Sequence, residues 1–177
     1  RELKGRDQRG VSLLDVACGN GRFLKTVMNV WPRLKAAGLD LSPNYTDAAR
    51  GRLAPWPQVE VFHEAAEAMP LPDASRDIVV SIFLFHELPP EVRAPVLAEV
   101  FRILKPGGLF VLADSVQFGD HDGIDGVLEY FPHGFHEPYY DSYLAWDVDA
   151  AAIGQGFVKE RETLAFLTKV TTWRRPL

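Results

Sequence analysis

The sequence predicts an α/β fold: a Rossmann-like doubly wound sheet, mostly parallel, with an antiparallel edge strand and helices on both faces. Three observations carry that prediction. Five short apolar runs alternate with helical stretches between residues 11 and 114, the pattern of parallel strands joined by right-handed crossovers. The first run breaks directly into Gly19-Asn20-Gly21, a tight turn at a strand's carboxyl end, where open α/β sheets bind ligands. Two further runs, 158–166 and 168–173, follow each other with almost no loop, which suits only an antiparallel pair.

The elements follow in order. Residues 11–17 form a short Val/Leu run before glycines and predict a buried strand. Residues 20–30 place Phe23, Leu24, Val27 and Met28 on one helical face, ending before Pro32. Residues 34–41 predict a second strand. Ser42-Pro43 offers an N-cap and a first-turn proline for a helix reaching Leu53. Residues 59–63 predict a third strand, and 77–85 a fourth, apolar enough to be buried on both faces. Residues 90–104 carry Val92, Val96, Leu97, Val100, Phe101 and Leu104 near helical period, and Lys105-Pro106-Gly107-Gly108 stops them. Residues 109–114 predict a fifth strand. From 117 to 147 the texture turns aromatic and rich in His, Gly and Asp, and a helix follows near 147–155.

Composition bounds the function. With 177 residues, the chain suits one domain with a good-sized core, 1–177, in which 117–146 is an insertion. It begins with Arg1 rather than Met, which leaves room for an upstream segment. Hydrophobic residues make up 47% and charged residues 24%, the balance of a globular protein. A net charge of −5 speaks against a nucleic-acid partner, whose phosphates need a basic surface. The lone Cys18 forbids an intrachain disulfide and favours a cytoplasmic setting. No apolar run is long enough for a membrane span. The oligomeric state is not legible.

The ligand can be narrowed from the turn. A dinucleotide fingerprint wants a third glycine, and Leu24 or Arg22 stands in its place, depending on the frame. The phosphate-loop signature is not met either, because Leu24 rather than glycine precedes Lys25-Thr26. Asp40, ending the second strand, has the position of an acid that accepts from ribose hydroxyls. Asp15 precedes the turn and suits either the loop's shape or a bound ammonium. A ribose with an amino-acid zwitterion and no pyrophosphate fits these groups.

At this point the sequence resembles the class I S-adenosyl-L-methionine-dependent methyltransferases, in particular the small-molecule group of the ubiquinone and menaquinone-biosynthesis enzymes. LLDVACGNGRF resembles the family's cofactor loop and LDLSP its ribose-binding strand end. EAAEAMPLPDASRDIVVS resembles the adenine-side segment with the fourth strand, and EVFRILKPGGLFVLAD the following helix, turn and fifth strand. The resemblance implies cofactor contacts from Asp15, Ala17, Gly19, Gly21, Asp40 and Leu41. It implies further contacts from Ala66, Glu67 and Phe83. Two positions depart from the pattern. Ala17 replaces the loop's first glycine, and Ala65 falls where an acid usually meets the adenine amino group, so Glu64, Glu67 or backbone must serve there.

The expected activity is methyl transfer to a small, aromatic or otherwise apolar molecule. A catalytically inactive cofactor-binding or regulatory module of the same fold is the alternative. A nicotinamide oxidoreductase is disfavoured by the absent third glycine. His86, in Phe83-Leu84-Phe85-His86-Glu87 after the fourth strand, is the candidate general base and substrate contact. It reads equally as a residue that shapes the loop. Tyr139, Tyr140 and Tyr143 are the candidate acceptor contacts in an aromatic wall formed by 117–146; these rings suit the packing of the insertion as well. His133, His136 and Glu137, with Asp120 and His121 nearby, are metal-ligand types, but the two histidines sit in a Pro/Gly turn, and no metal is expected.

Overall fold

The computed structural model describes residues 8–177, and residues 1–7 of the expected 1–177 domain lie outside the described residues. The expectation of an upstream segment concerns the same end. A 3-10 turn, Gln8–Gly10, leads into β1 (Ser12–Val16), in which all five residues are buried. Alternation along β1 sends Leu13 and Leu14 to opposite faces, into two separate cores.

β1 pairs in parallel with β2 (Lys35–Asp40) on one side and with β4 (Arg76–Ile82) on the other. β2 pairs in parallel with β3 (Glu60–His63), and β4 with β5 (Leu104–Ser115). The last two strands, β6 (Val158–Ala165) and β7 (Thr168–Arg174), form a hairpin. Its second strand lies antiparallel against β5 and leaves β6 at the edge. The order among the described residues is β3-β2-β1-β4-β5-β7-β6. This is the mixed, doubly wound sheet that the alternation of runs predicts.

Helices cover both faces. α1 (Arg22–Val30) and α2 (Pro43–Leu53) bury Leu24, Val27, Met28, Ala49 and Leu53 against Leu13, Ala36 and Val80. α3 (Pro90–Ile103) buries Val96, Leu97, Val100 and Ile103 against Leu14, Val79, Phe110 and Trp173 on the other face. Ser42 caps α2 by accepting from the Tyr45 N–H at 3.4 Å, ahead of Pro43 at its first position. α1 begins two residues later than expected because Gly21 is left-handed at its N-cap.

Three boundaries differ from the sequence reading. β4 stops at Ile82 because Phe83 is left-handed, with φ of 56°. β5 begins at Leu104, running through the Lys-Pro-Gly-Gly turn with a register shift against β4. The insertion holds helices of its own, α4 (Asp125–Gly134) and α5 (Tyr140–Leu144), before α6 (Val148–Gly154), which Asp147 caps through the Ala150 N–H at 2.8 Å. No helix among the described residues is long and apolar enough to cross a membrane.

Candidate active site

The parallel register brings the carboxyl ends of β1, β2 and β4 level: Val16 stands opposite both Leu39 and Ser81. The chain leaves each strand through an unusual conformation or a charged end. After β1, Ala17, Gly19 and Gly21 are all left-handed, with φ of 60°, 52° and 75°. A methyl group in that region is strained by its contact with the carbonyl, so Ala17 holds a conformation that glycine adopts freely. At Gly19 a Cβ would meet nothing within 4 Å. The backbone there faces open space. At Gly21 a Cβ would stand 3.2 Å from Ala49 and Leu53, so this glycine admits α2 rather than a ligand.

Asp40 fastens the turn. One carboxylate oxygen accepts the Gly19 N–H at 2.8 Å and the other the Ser42 N–H at 2.9 Å. The cofactor loop and the start of α2 are thus tied to one side chain at the tip of β2. Asp15 lies beneath the turn, 2% exposed. Burial, and then the charge of Asp40, push its carboxyl up to about 8. Burial followed by the charges of Asp15 and Asp40 pushes the Cys18 thiol up to about 12, so the thiol stays protonated and inert at neutral pH.

An open cleft of about 740 Å³ lies over these strand ends. Ala17, Gly19, Asn20, Asp40, Leu41 and Ser42 line one side; Ala66 and Glu67 lie in the segment after β3; Phe83, Leu84, Glu87 and Leu88 line the far side. Seven of the residues expected at a cofactor therefore meet in one cavity: Ala17, Gly19, Asp40, Leu41, Ala66, Glu67 and Phe83. Asp15 and Gly21 do not line it. Its charged groups are Asp40, Glu67 and Glu87, with no Lys, Arg or His among them. Such a lining suits a cationic ligand and repels a pyrophosphate. Carboxylates that accept from hydroxyls and amines, an open glycine backbone and apolar Leu41 and Phe83 fit the ribose, zwitterion and purine of S-adenosylmethionine.

The far side is built differently. His86 is 8% exposed, and its Nδ1 lies 2.6 Å from Asp114 Oδ1 at the end of β5. Asp114 also accepts the N–H groups of Phe85 at 2.9 Å and Ser115 at 2.7 Å. Burial works against a charged imidazole. The hydrogen bond and charge of Asp114, with Glu87 and Glu137, outweigh it and hold His86 above its ordinary value. Phe83, Tyr140 and Tyr143 each meet the imidazole edge-on.

Two tyrosines of the aromatic insertion pack against His86, and their hydroxyls face inward. The Tyr140 hydroxyl bonds Ser115 Oγ at 2.6 Å, and the Tyr143 hydroxyl donates to the Ser115 carbonyl at 3.0 Å. Both rings are buried, and their polar tips are already satisfied. Tyr139 is partly exposed and contributes its carbonyl to Arg93. None of the three lines the cleft, and Tyr140 and Tyr143 pack edge-on against His86. Among the described residues no group of three or more His, Cys, Asp or Glu is placed to hold a metal.

Three side chains that sequence reasoning missed organise this half. Arg93, 2% exposed, donates to the carbonyls of Phe85 and Tyr139 and to Ser142 Oγ, and stacks over Tyr143 and Trp146. Gln117 donates to the Tyr143 and Trp146 carbonyls and accepts from buried Lys169, which also pairs with Asp120. Asp114 stands inside the quoted fifth-strand motif; its position at a strand's carboxyl end was the available signal.

Residues 13–108 match the family described as "Methyltransferase domain". The demethylmenaquinone methyltransferase of Listeria welshimeri is 34% identical over 115 residues, 63% of this chain and 48% of that protein. That of Lysinibacillus sphaericus is 32% identical over 109 residues, 61% of this chain and 46% of that protein. The chain spans about half the length of these curated relatives. Among solved structures, a SAM-dependent methyltransferase from Aquifex aeolicus superposes with a TM-score of 0.74 at 21% identity, covering 95% of this chain and 84% of that one. A TehB-like SAM-dependent methyltransferase from Corynebacterium glutamicum gives 0.69 at 19% identity, covering 96% and 82%.

Proposed function

The chain belongs to the methyltransferase-domain family, among the class I S-adenosylmethionine-dependent members, and from that premise we propose that it methylates a small, apolar or aromatic molecule at the cleft over β1, β2 and β4. The observation that carries this reading is the cleft's lining: an open glycine backbone and three acids, with no cationic side chain. The named relatives are demethylmenaquinone methyltransferases, which supports an acceptor of this class.

When bound, S-adenosylmethionine supplies a methyl group already activated on a sulfonium sulfur. The protein's part is therefore alignment and exclusion of water. Gly19 leaves the backbone approachable; Asp40 offers acceptors to a ribose while bracing the turn. Leu41, Ala66 and Phe83 offer apolar surface to a purine, and Glu67 an acceptor for its amino group. The loop from Phe83 to Leu88 borders the cleft and carries His86, and the acceptor is proposed to approach along it from the α5 side.

Calorimetric titration with S-adenosylhomocysteine tests the binding step: saturable binding is expected, and tighter binding of NAD would overturn the reading. Transfer of label from S-adenosyl-[methyl-14C]methionine to aromatic metabolites distinguishes an active enzyme from the inactive module.

A further inference from the structure

We infer that His86 and Asp114 form a proton-accepting dyad for the acceptor, with Asp114 as the positioning residue, so that the acceptor is a neutral molecule carrying an ionisable O–H or N–H, of which a phenol is the type. This rests on the methyltransferase reading given above.

The geometry fixes which nitrogen acts. Three N–H groups converge on Asp114: those of Phe85, Ser115 and His86 Nδ1. A carboxylate accepts and does not donate, so the shared proton belongs to Nδ1 and the lone pair to Nε2. Nε2 is not among the buried polar atoms that lack a partner, and it points toward Glu87, whose Oε1 lies 3.9 Å away. Glu87 lines the cleft. Nε2 thus faces Glu87, a residue that borders the cleft, while the other end of the ring is anchored by Asp114.

Rotation of the ring is also restricted. Phe83, Tyr140 and Tyr143 meet it edge-on at centroid distances of 6.1, 5.9 and 6.1 Å. Both tyrosine hydroxyls are engaged by Ser115, the residue after Asp114. A histidine that only shaped a loop would not require a tautomer-fixing carboxylate, itself held by two backbone N–H groups, and a ring cage.

The surroundings select the acceptor's charge. Asp114 on β5, Glu87 on the same loop and Glu137 ahead of α5 all act on His86, and Arg93 on α3, which feels the charge of Asp114, is turned to Phe85, Tyr139 and Ser142. Tyr140 and Tyr143 on α5 are the other titratable neighbours, and burial raises both above the ordinary phenol range. An acidic field of this kind disfavours a carboxylate or another anion, the acceptors that need no base. A neutral acceptor enters without that penalty and gives up its proton on reaction. The acceptor oxygen's or nitrogen's bond to the methyl carbon forms as the carbon–sulfur bond breaks. S-adenosylhomocysteine leaves as a neutral thioether, and the acceptor's proton passes to His86 Nε2 and then to water.

The test uses the full chain saturated with S-adenosylhomocysteine, so that loss of binding reports failure of the methyltransferase reading and not of the dyad. Nitrogen-15 NMR of the histidine rings, assigned with His86→Gln, should show His86 above its titration midpoint with Nδ1 protonated and Nε2 free. Asp114→Asn should lower that midpoint by about one pH unit. A proton on Nε2, or an unmoved midpoint in a folded Asp114→Asn protein, overturns the dyad. In transfer assays with a panel of phenols and naphthohydroquinones, His86→Gln should reduce kcat by about 100-fold or more with little change in KM. Asp114→Asn should reduce it less and move the acid limb of the pH profile downward. Activity confined to carboxylates such as benzoate, or an unchanged kcat in His86→Gln, would refute the assignment. If Asp114→Asn fails to fold, the ring tautomer and the His86→Gln kinetics still decide.

Discussion

The two halves of the carboxyl edge are held by different means. Over β1 and β2 the backbone is shaped by left-handed residues and one carboxylate, and the surface is left open. Over β4 and β5 the loop is shaped by packed rings and by a guanidinium that is 2% exposed and reaches three acceptors. The first half is a local device: almost everything it needs lies between Asp15 and Ser42. The second is assembled from four elements spread over residues 83–144: the Phe83–Leu88 loop, α3, the end of β5 and α5. Most of the first half is thus encoded in one short stretch, whereas the half proposed to receive the acceptor depends on how separate elements pack.

Breaking the second half alone gives the largest expected effect. Arg93→Ala removes a buried guanidinium together with its hydrogen bonds to the Phe85 and Tyr139 carbonyls and Ser142 Oγ and its stacking on Tyr143 and Trp146. It should destabilise the protein by about 3 kcal/mol in urea unfolding. At temperatures where the variant stays folded, S-adenosylhomocysteine affinity should change little, because Arg93 does not line the cleft. A parallel collapse of affinity would show that the two halves are not separable.

Asp40→Ala attacks the first half. Binding of S-adenosylhomocysteine should weaken by about 1–3 kcal/mol, the range for hydrogen bonds to a charged group. Unchanged calorimetric affinity would remove Asp40 from the ligand site and leave it as a brace for the turn.

Asp15 offers a test by pH. Its folded value of about 8 lies far above that of an exposed aspartate, with burial first and Asp40 second as causes. Between the two values the folded protein holds a proton that the unfolded chain has released. Stability should therefore decline as pH rises from about 4 and level off above about 8. Asp15→Asn removes this dependence. The melting temperature of the variant relative to the parent should climb across that window, and a constant offset would contradict the burial account.

The smallest effect sharpens the description of the turn. Ala17→Gly relieves a left-handed alanine at φ of 60° and should stabilise the folded protein by roughly 0.5 kcal/mol after the greater chain entropy of glycine is set against it. Chemical denaturation resolves a change of this size, and a clear loss of stability would mean that the Ala17 methyl is needed for packing.

What could be read from the sequence follows the same division. Gly19 and Asp40 were legible because a left-handed turn and a strand-end acid act through their own stretch of backbone. The sheet was legible because apolar runs and glycine turns declare parallel strands in order, and a near-loopless pair declares an antiparallel hairpin. Asp114 was in plain view inside a quoted motif, yet its partner His86 lies 28 residues earlier, and no local pattern joins them. Arg93 reads in sequence as an ordinary charged helix position; only the docking of α5 buries it. Tyr140 and Tyr143 were assigned to a wall because an amphipathic ring looks the same in a wall and in a core. The contacts of both hydroxyls with Ser115 emerge only when β5 and α5 meet. α4 escaped notice because Pro132 and Gly134 sit at its end among scattered rings.

The acid-only lining of the cleft has a consequence for turnover. Under the proposed function the donor enters with a positive sulfonium, and the spent product has lost that charge. Asp40, Glu67 and Glu87 then attract what arrives more strongly than what remains. The same three carboxylates that recruit the donor thus hold its neutral product less firmly, and charge favours the exchange of one for the other.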